Sequence, residues 1–325
     1  MKILVLGSIN IDYNYSVGHI ITPKETQAAT DLRVCPGGKG LNQAVTLARA
    51  GLEVQLAGLV GADGMDMLDQ MRDKLCIDIS AVQQVEGRTG NAIIQVDDIG
   101  QNAIMIYGGA NQKVNEAYVD TVLEPFGKDD VLVLQNEISC LPYIIERAAE
   151  KEMFIVLNPS PCTPELKTCD LSKVSIFFLN EIEGRELTSY VQPGDILRGL
   201  ADRYPDSEFV FTLGSQGAFY KKGEIQSYHK AITVQAKDAT AAGDVFEGYF
   251  LAAYLSGKEP AEALKYASYA SALSVTKDGA AYFSAPRMDV VEQYLANPRE
   301  RPDFQPEPPM PEKCITQIEI LHKSL

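Results

Sequence analysis

Residues 238–248 read Asp-Ala-Thr-Ala-Ala-Gly-Asp-Val-Phe-Glu-Gly, and the rest of the chain is organised around this stretch. Before it, the run from Ala231 to Ala236 alternates between apolar and polar side chains, which predicts a strand. After it, apolar residues recur at helical spacing, at Phe246, Phe250, Ala253 and Tyr254. The small residues 241–243 therefore lie where a loop turns into a helix, which we predict over residues 243–255.

The start of that helix is suited to an anion. Unpaired N–H groups there carry the positive end of the helix dipole, and small residues let a ligand approach the backbone. Asp244 lies directly beside these groups. A carboxylate in this place would repel a phosphate unless it took part in proton transfer. The alternative is structural, since Asp238 or Asp244 could simply cap the helix.

The N-terminal segment contributes a second group of polar residues. The apolar run from Ile3 to Leu6 ends at Gly7 and predicts a strand buried on both faces. If the chain stays extended, Asn10 and Asp12 share one face, where an amide and a carboxylate can bind sugar hydroxyls. A capped turn is the alternative. The segment lacks the Gly-x-Gly-x-x-Gly pattern, which argues against a nicotinamide-dependent dehydrogenase.

A glycine-rich segment, residues 36–44, reads Pro-Gly-Gly-Lys-Gly-Leu-Asn-Gln-Ala and opens a helix that ends near Gly51. It is not a Walker A loop, because the spacing of Gly-Lys-Ser/Thr is missing. Gly37 and Gly38 allow close backbone contact with a ligand. Lys39 and Asn42 offer hydrogen-bond donors to a polyhydroxylated ligand.

These segments together resemble the ribokinase (PfkB) family of sugar kinases over roughly residues 2–290. The family carries Asp-Thr-x-Ala-Ala-Gly-Asp-x-Phe-x-Gly near its C-terminus and Gly-Gly-Lys-Gly-x-Asn-Gln-Ala near its N-terminus. Two positions depart from its commonest form, because Ala239 replaces a threonine and Glu247 an asparagine. The catalytic residues that the resemblance implies are Asp244 as the base, with an anion hole from the backbone of Ala241, Ala242, Gly243 and Asp244.

The resemblance also implies the residues of three binding sites. The sugar would be bound by Asn10, Asp12, Gly37, Gly38, Lys39, Asn42, Glu137 and Asp244. ATP would be bound by Asn180, Glu183, Thr212, Gly214, Ser215 and Gly217, with Glu183 helping to hold Mg²⁺. A monovalent cation, K⁺, would lie near Asp238, Thr240, Lys277 and Gly279.

The fold expected is α/β. Strand–helix alternation predicts a mostly parallel sheet with right-handed crossovers, and the resemblance implies a Rossmann-like three-layer sandwich. Residues 13–34 and 89–107 are predicted to be β structure that interrupts this strand–helix alternation, and residues 89–107 are predicted to form a hairpin around Gly100. Both segments match the family's small β lid. The resemblance implies a homodimer through this lid. Residues 1–290 would form the kinase domain and residues 291–325 a proline-rich C-terminal extension that docks on the body or on a partner.

Composition narrows the class of partner. The 325 residues carry a formal net charge of −15, which argues against nucleic acid or an anionic membrane as the main partner. Six cysteines without a Cys-x-x-Cys pair are typical of thiols in a reducing cytoplasm. Three isolated histidines make a zinc site improbable, and neither a signal peptide nor a membrane span is recognisable.

The leading functional hypothesis is an ATP-dependent kinase that phosphorylates the primary hydroxyl of a pentose, with D-ribose as first choice. Deoxyribose, or another sugar or nucleoside, is the alternative within the family. A catalytically silent sensor of sugar or nucleotide is the alternative from another class, and the presence of Asp244 and the glycine turn argues against it.

Overall fold

A computed structural model describes residues 1–99, 101–277 and 279–297. The predicted linker and docking segment beyond residue 297 lie outside these residues and stay predictions. So does the tip of the predicted hairpin at residue 100. The boundary that we predicted at residue 290 falls inside a helix, Met288–Ala296.

The strands are β1 (Ile3–Leu6), β2 (Asn10–Ser16), β3 (Asp31–Gly37), β4 (Val54–Val60), β5 (Asp78–Gln84), β6 (Gly90–Val96), β7 (Asn102–Tyr107), β8 (Val131–Gln135), β9 (Phe154–Asn158), β10 (Ile176–Asn180), β11 (Glu208–Thr212), β12 (Ala218–Lys222) and β13 (Ile225–His229). The helices are α1 (Lys39–Arg49), α2 (Ala62–Leu75), α3 (Glu116–Leu123), α4 (Leu141–Glu150), α5 (Glu181–Thr188), α6 (Pro193–Arg203), α7 (Ala242–Leu255), α8 (Pro260–Ser274), α9 (Ala281–Ser284) and α10 (Met288–Ala296).

A large sheet forms the centre of the molecule. Its nine strands run in the order β13-β12-β11-β10-β9-β8-β1-β4-β5. The pairs from β11 to β5 are parallel, whereas β12 and β13 are antiparallel additions at one edge. Parallel neighbours need crossovers, and the intervening helices supply them. The predicted α/β fold with a mostly parallel sheet is confirmed.

Both faces of this sheet are buried under helices. In β1, Leu4 and Leu6 pack with residues of α3, α4 and α6, while Ile3 and Val5 pack with residues of α1, α2, α7 and α8. Successive side chains of a strand point to opposite faces, so a continuous apolar run is what a doubly covered strand requires. The helix–sheet–helix order gives the three layers that we expected.

A second sheet of four strands, β3-β2-β6-β7, stands apart from the large one. Strands β6 and β7 are the predicted hairpin, and β2 and β3 pair antiparallel beside it. Asn10 and Asp12 both belong to β2 and are buried. Because residues in register share a face, Asp12 lies on the same face as Ala92 and Cys35.

One predicted element is wrong. The run from Ala231 to Ala236 is not a strand, and within it only Val234 forms an isolated bridge. Five of its six residues, all but Gln235, instead line a cavity of about 540 Å³. Their apolar side chains therefore serve a cavity wall and not a sheet face. The strand beside the motif is β13, which ends at His229.

Candidate active site

Polar residues line up along the carboxyl edge of the large sheet. Gln135, the last residue of β8, is in register with Asn158 at the end of β9. Asn180 at the end of β10 is in register with Thr212 at the end of β11. Open α/β sheets bind their ligands at this edge, so the topology places the candidate site here.

The N-terminus of α1 approaches the same edge. Gly38 precedes the helix with φ +90°, a conformation that favours glycine. The N–H of Lys39 donates to Oε2 of Glu137 at 3.2 Å. A Cβ on Gly37 would lie 1.9 Å from Oδ2 of Asp12, so only glycine fits there without displacing that carboxyl. The predicted sugar-binding residues of three segments are thus packed together.

Asn10 and Asp12 differ in the hydrogen bonds that their side-chain Oδ1 atoms accept. Oδ1 of Asn10 accepts a hydrogen bond from Nδ2 of Asn111 at 2.8 Å. Oδ1 of Asp12 is buried, and no described residue donates a hydrogen bond to it. Burial, with a smaller contribution from Glu137, raises the pKa of Asp12 to about 7. A buried acceptor without a donor is suited to a ligand hydroxyl.

Asp244 is the centre of the site. It is 5% exposed and lies in the first turn of α7. Its Oδ2 accepts from Nδ2 of Asn42 at 3.2 Å, and its Oδ1 accepts from Nε2 of Gln43 at 3.1 Å. Burial raises the pKa of Asp244, while Lys39 and the two amide donors act in the opposite direction. A carboxylate with a raised pKa is a better proton acceptor than an exposed one.

A chain of amides supports Asp244 from behind. Nε2 of Gln135 donates to Oε1 of Gln43 at 2.5 Å, which fixes the direction of the Gln43 amide. Nε2 of Gln43 then donates both to Asp244 and, at 3.1 Å, to Oε2 of Glu247. Nδ2 of Asn158 donates to that same Oε2 at 3.0 Å. Asp244 is therefore part of a buried network that joins strands β8 and β9 with helices α1 and α7.

Lys39 is surrounded by acidic groups. Burial opposes the charge on its ammonium group, but nearby carboxyl groups outweigh burial and raise the pKa of Lys39 above its ordinary value. In order of effect, these carboxyl groups belong to Asp244, Glu137, Glu247 and Glu183. Lys39 consequently stays protonated at neutral pH and is a local cation in a chain of net charge −15.

The backbone around Ala241 differs from our expectation of four free N–H groups. Ala241 adopts φ +60°, and the N–H of Ala242 donates to the carbonyl oxygen of Ala239 at 3.1 Å. The first bond inside the helix runs from the N–H of Val245 to the carbonyl oxygen of Ala241 at 2.9 Å. The N–H groups of Gly243 and Asp244 precede that bond and remain the best placed for an anion.

Two cavities meet at this helix start. The smaller, of about 260 Å³, is lined by Lys39, Asn158, Asn180, Glu183 and Asp244 among others. The larger, of about 540 Å³, is lined by Thr212, Gly214, Ser215 and Gly217 and by one side of α8. Thr212, Ala239, Ala242, Gly243 and Phe246 line both. The two cavities are therefore adjacent, with a polar end at Asp244 and a more apolar end at α8.

Asn180 and Glu183 have a structural role as well. Oδ1 of Asn180 accepts from the N–H of Ile182 at 2.7 Å and of Glu183 at 3.3 Å, and Oε2 of Glu183 accepts from the N–H of Asn180 at 2.7 Å. This reciprocal arrangement is a capping box for α5. Both residues also line the smaller cavity.

The residues predicted to hold a monovalent cation are only partly brought together. Oδ1 of Asp238 accepts from the N–H of Thr240 at 2.8 Å, and Oδ2 accepts from the N–H of Gly279 at 2.9 Å. Burial would raise the pKa of Asp238, but hydrogen bonds from Thr240 and Gly279 lower it overall. Lys277 is exposed and its N–H donates to Ser274. Across the described residues, no three His, Cys, Asp or Glu side chains cluster as metal ligands.

Sequence reasoning missed part of the network. Ser8 donates to Oε2 of Glu137, and Asn111, Gln135, Asn158, Gln43 and Glu247 hold or extend the predicted residues. Gln43 and Glu247 lie within the two sequence motifs. Gln135 and Asn158 could be recognised as polar residues at the ends of buried strands. Their contacts with one another were not visible, because the partners are far apart in sequence.

Comparison with known proteins gives a consistent result. A family model described as pfkB family carbohydrate kinase matches residues 1–288. The ribokinase of Haemophilus influenzae is 34% identical over 301 residues, covering 89% of this chain and 96% of that protein. The deoxyribokinase of Salmonella typhi is 30% identical over 304 residues, covering 91% and 99%. Among solved structures, Arabidopsis thaliana ribokinase complexed with ribose and ATP has a TM-score of 0.79 at 27% identity, covering 90% and 99%.

Among the described residues, no helix has the length and apolar character required to span a membrane.

Proposed function

The chain belongs to the pfkB family of carbohydrate kinases, and we propose that within this family it transfers the γ-phosphoryl group of ATP to the primary hydroxyl of D-ribose, giving D-ribose 5-phosphate. The observation that carries this proposal is the position of Asp244. Its buried carboxyl is bonded to Asn42 of the glycine-rich segment and lies at the start of α7, beside the cavity that continues towards α8. Sugar-binding residues, base and nucleotide space thus meet at one point.

Asp244 accepts the proton of the attacking hydroxyl. Its pKa is raised by burial, and the amides of Asn42 and Gln43 hold both carboxylate oxygens in a fixed direction. The transferred phosphoryl group lies against the N–H groups of Gly243 and Asp244, each worth about 2.7–4 kcal/mol by analogy with oxyanion holes. Lys39 stabilises negative charge at the same place.

The sugar is bound by Asn10, Asp12, Gly37, Gly38, Lys39, Asn42 and Glu137. The unpartnered Oδ1 of Asp12 supports this assignment, because a ribose hydroxyl would supply the donor it lacks. The ionised form of Asp12 is then the binding-competent one. Closure of the four-stranded lid over the sugar would exclude water as a competing acceptor.

The nucleotide occupies the space towards α8, with Asn180, Glu183, Thr212, Gly214, Ser215 and Gly217 along it. The residues at its polar end fit Mg²⁺ bound mainly through phosphates and water, since they offer oxygen donors but no dedicated acidic cage. When bound, Mg²⁺ would offset negative charge on the phosphates. A K⁺ ion would lie beside the Asp238, Thr240 and Gly279 loop, where oxygen ligands are available.

The protein functions as a homodimer joined through the lid. Strand β7 is an edge of the lid sheet, and its residues Ile104, Met105, Ile106 and Tyr107 are each more than half exposed. An exposed apolar edge strand is a site of association. Ile104→Lys is expected to lower the mass measured by light scattering to that of a monomer. Ile225→Lys, at an equally exposed edge residue of the large sheet, is the matched control. An unchanged mass for Ile104→Lys would contradict the lid dimer.

The supply of ATP and the six cysteines without a Cys-x-x-Cys pair support a cytoplasmic location.

The test is ADP release with ATP, Mg²⁺ and a panel of sugars that includes D-ribose and 2-deoxyribose, with and without K⁺. We expect turnover that depends on ribose and falls about 10²- to 10⁴-fold in Asp244→Asn with ribose binding kept. Asp130→Asn is the matched control, since Asp130 is buried at the opposite end of β8. Ribose binding without ADP release in the wild type would instead indicate a sensor.

A deoxyribokinase is the second candidate, favoured by the relative from Salmonella typhi. A higher kcat/KM for 2-deoxyribose than for ribose would establish it.

A further inference from the structure

Glu247 is a buried acid that the proposed reaction does not use. It lies in α7 three residues after Asp244 and is 1% exposed. Its Oε2 accepts from Gln43 at 3.1 Å and from Asn158 at 3.0 Å. Its Oε1 is buried, and none of the described residues forms a hydrogen bond with it. An ionised carboxylate with one unpaired buried oxygen would be costly, so the arrangement favours the neutral acid.

Gln43 links this acid to the base. Its Oε1 is occupied by the amide of Gln135, so its two N–H bonds must face the two carboxyl groups. Each carboxyl oxygen lies 3.1 Å from Nε2 of Gln43. The two carboxyl groups are therefore at most about 6 Å apart at these oxygens, and the charge of one acts strongly on the other.

The charged groups that act on Glu247 are few. Burial is the main cause that raises the pKa of Glu247 to about 8; Asp244 adds to it, while the Asn158 hydrogen bond and Lys39 oppose it. Asn158 of β9 is neutral. Helix α8 packs along α7; its ionisable Glu262 and Lys265 are exposed, and its other ionisable side chains are those of Tyr266 and Tyr269.

The remaining charge on α1, that of Arg49, is directed elsewhere. Its guanidinium group donates to the carbonyl oxygens of Ala281 and Ala285, and to that of Tyr282. No ionisable side chain among these groups offers Glu247 a direct ion pair.

We propose that Glu247 is a positioning residue that, while protonated, holds Gln43 and Asn158 in place behind the base, and that loss of its proton switches off phosphoryl transfer at alkaline pH. The proposal rests on the proposed function, in which Asp244 is the base. Ionised Glu247 places a second negative charge close to Asp244 and behind the N–H groups that hold the phosphate. Repulsion by this charge weakens the binding of the transferred phosphate at those N–H groups, so the rate falls as Glu247 loses its proton.

The experiment compares the pH dependence of kcat between pH 6 and 10 in the wild type and in Glu247→Gln, with saturating ribose and ATP. The wild type is expected to lose about tenfold in kcat between pH 7 and pH 9. In Glu247→Gln the side-chain oxygen still accepts hydrogen bonds from Gln43 and Asn158, but the side chain does not titrate. The ratio of kcat at pH 7 to kcat at pH 9 therefore stays near one. Glu208→Gln is the matched control, because Glu208 is also buried but hydrogen-bonded to Tyr220 and Lys222 at the opposite end of the sheet.

A purely structural role would change the size of kcat without changing its pH profile, so an unchanged alkaline fall in Glu247→Gln overturns the proposal. If that variant does not fold, NMR titration of wild-type protein labelled at the glutamate side-chain carboxyl carbons gives the answer. We expect one glutamate to titrate near pH 8, and none titrating between pH 7 and pH 9 overturns the proposal. Full activity of Asp244→Asn would instead refute the proposed base, which separates the two failures.

Discussion

Replacing Asp12 by asparagine is expected to stabilise the ligand-free protein while it abolishes tight binding of the sugar. Burial and Glu137 raise the pKa of Asp12 from 3.8 to about 7. Between these two values the folded state holds a proton that the unfolded state has lost, so the free energy of unfolding falls as the pH rises from about 4 to 7. Asparagine has a similar shape, but its side chain does not titrate. The pKa of Asp12 differs by about 3 units between the folded and unfolded states. At pH 8 this difference makes the free energy of unfolding of the variant about 4 kcal/mol higher than that of the wild type.

The assay is thermal unfolding without ligand at pH 5 and pH 8. For a chain of this length, about 4 kcal/mol raises the melting temperature by about 6 °C at pH 8. At pH 5 the gain falls to about 1.5 kcal/mol, because the wild-type Asp12 is then protonated in the folded state. Added ribose should raise the melting temperature of the wild type and leave that of Asp12→Asn unchanged.

The control is Asp130, a buried aspartate whose pKa is shifted in the opposite direction. Backbone N–H groups of Lys2 and Gly127 donate to Asp130, and they outweigh burial and lower its pKa. Its stabilising contribution is present at neutral pH and is lost as the pH falls, so Asp130→Asn should destabilise the protein at pH 8 and less at low pH. If Asp12→Asn were no more stable than the wild type at pH 8, or gained equally at pH 5, the buried-acid argument for this residue would be wrong.

Two glycine substitutions give further predictions. Gly37→Ala would place its Cβ 1.9 Å from the carboxyl of Asp12, so KM for the sugar should rise at least tenfold with little change in far-ultraviolet circular dichroism; an unchanged KM would contradict this. Gly217→Ala combines φ +105° with a Cβ 2.2 Å from the carbonyl oxygen of His229, and should cost at least about 2 kcal/mol in urea unfolding. Gly223→Ala, at φ +53° with nothing within 4 Å, should cost about 1 kcal/mol; equal losses would refute the steric argument.

Much of the fold could be predicted because local patterns and topology agree. The buried run of β1, the helix after Pro36 and the hairpin of β6 and β7 all follow from periodicity and glycine positions. The antiparallel pair of β12 and β13 was missed, although Gly223 marks its turn. Periodicity reports which side chains are buried but does not distinguish burial in a sheet from burial along a ligand cavity, and this explains the wrong strand at residues 231–236.

The candidate site was predictable where it depends on motifs and not where it depends on contacts between them. Asp244, Lys39 and Asn42 could be read from two short segments. The hydrogen bonds of Gln43 to residues 201 and 204 positions away could not, because nothing in a single sequence reports them. The bond from the N–H of Ala242 to Ala239 could not be predicted either, since it depends on the left-handed conformation of Ala241.

The pair Asp244 and Glu247 shows how packing completes what spacing begins. Residues three apart in a helix share a face, so the sequence already places both carboxyl groups on one side of α7. Two buried acids this close cannot both ionise cheaply, and one must keep its proton. Asp244 faces Lys39 and receives an amide bond on each oxygen, whereas Glu247 receives its donors on one oxygen only. This difference in donors and the position of Lys39 favour the negative charge on Asp244 and the neutral form on Glu247, as the proposed roles of the two residues require.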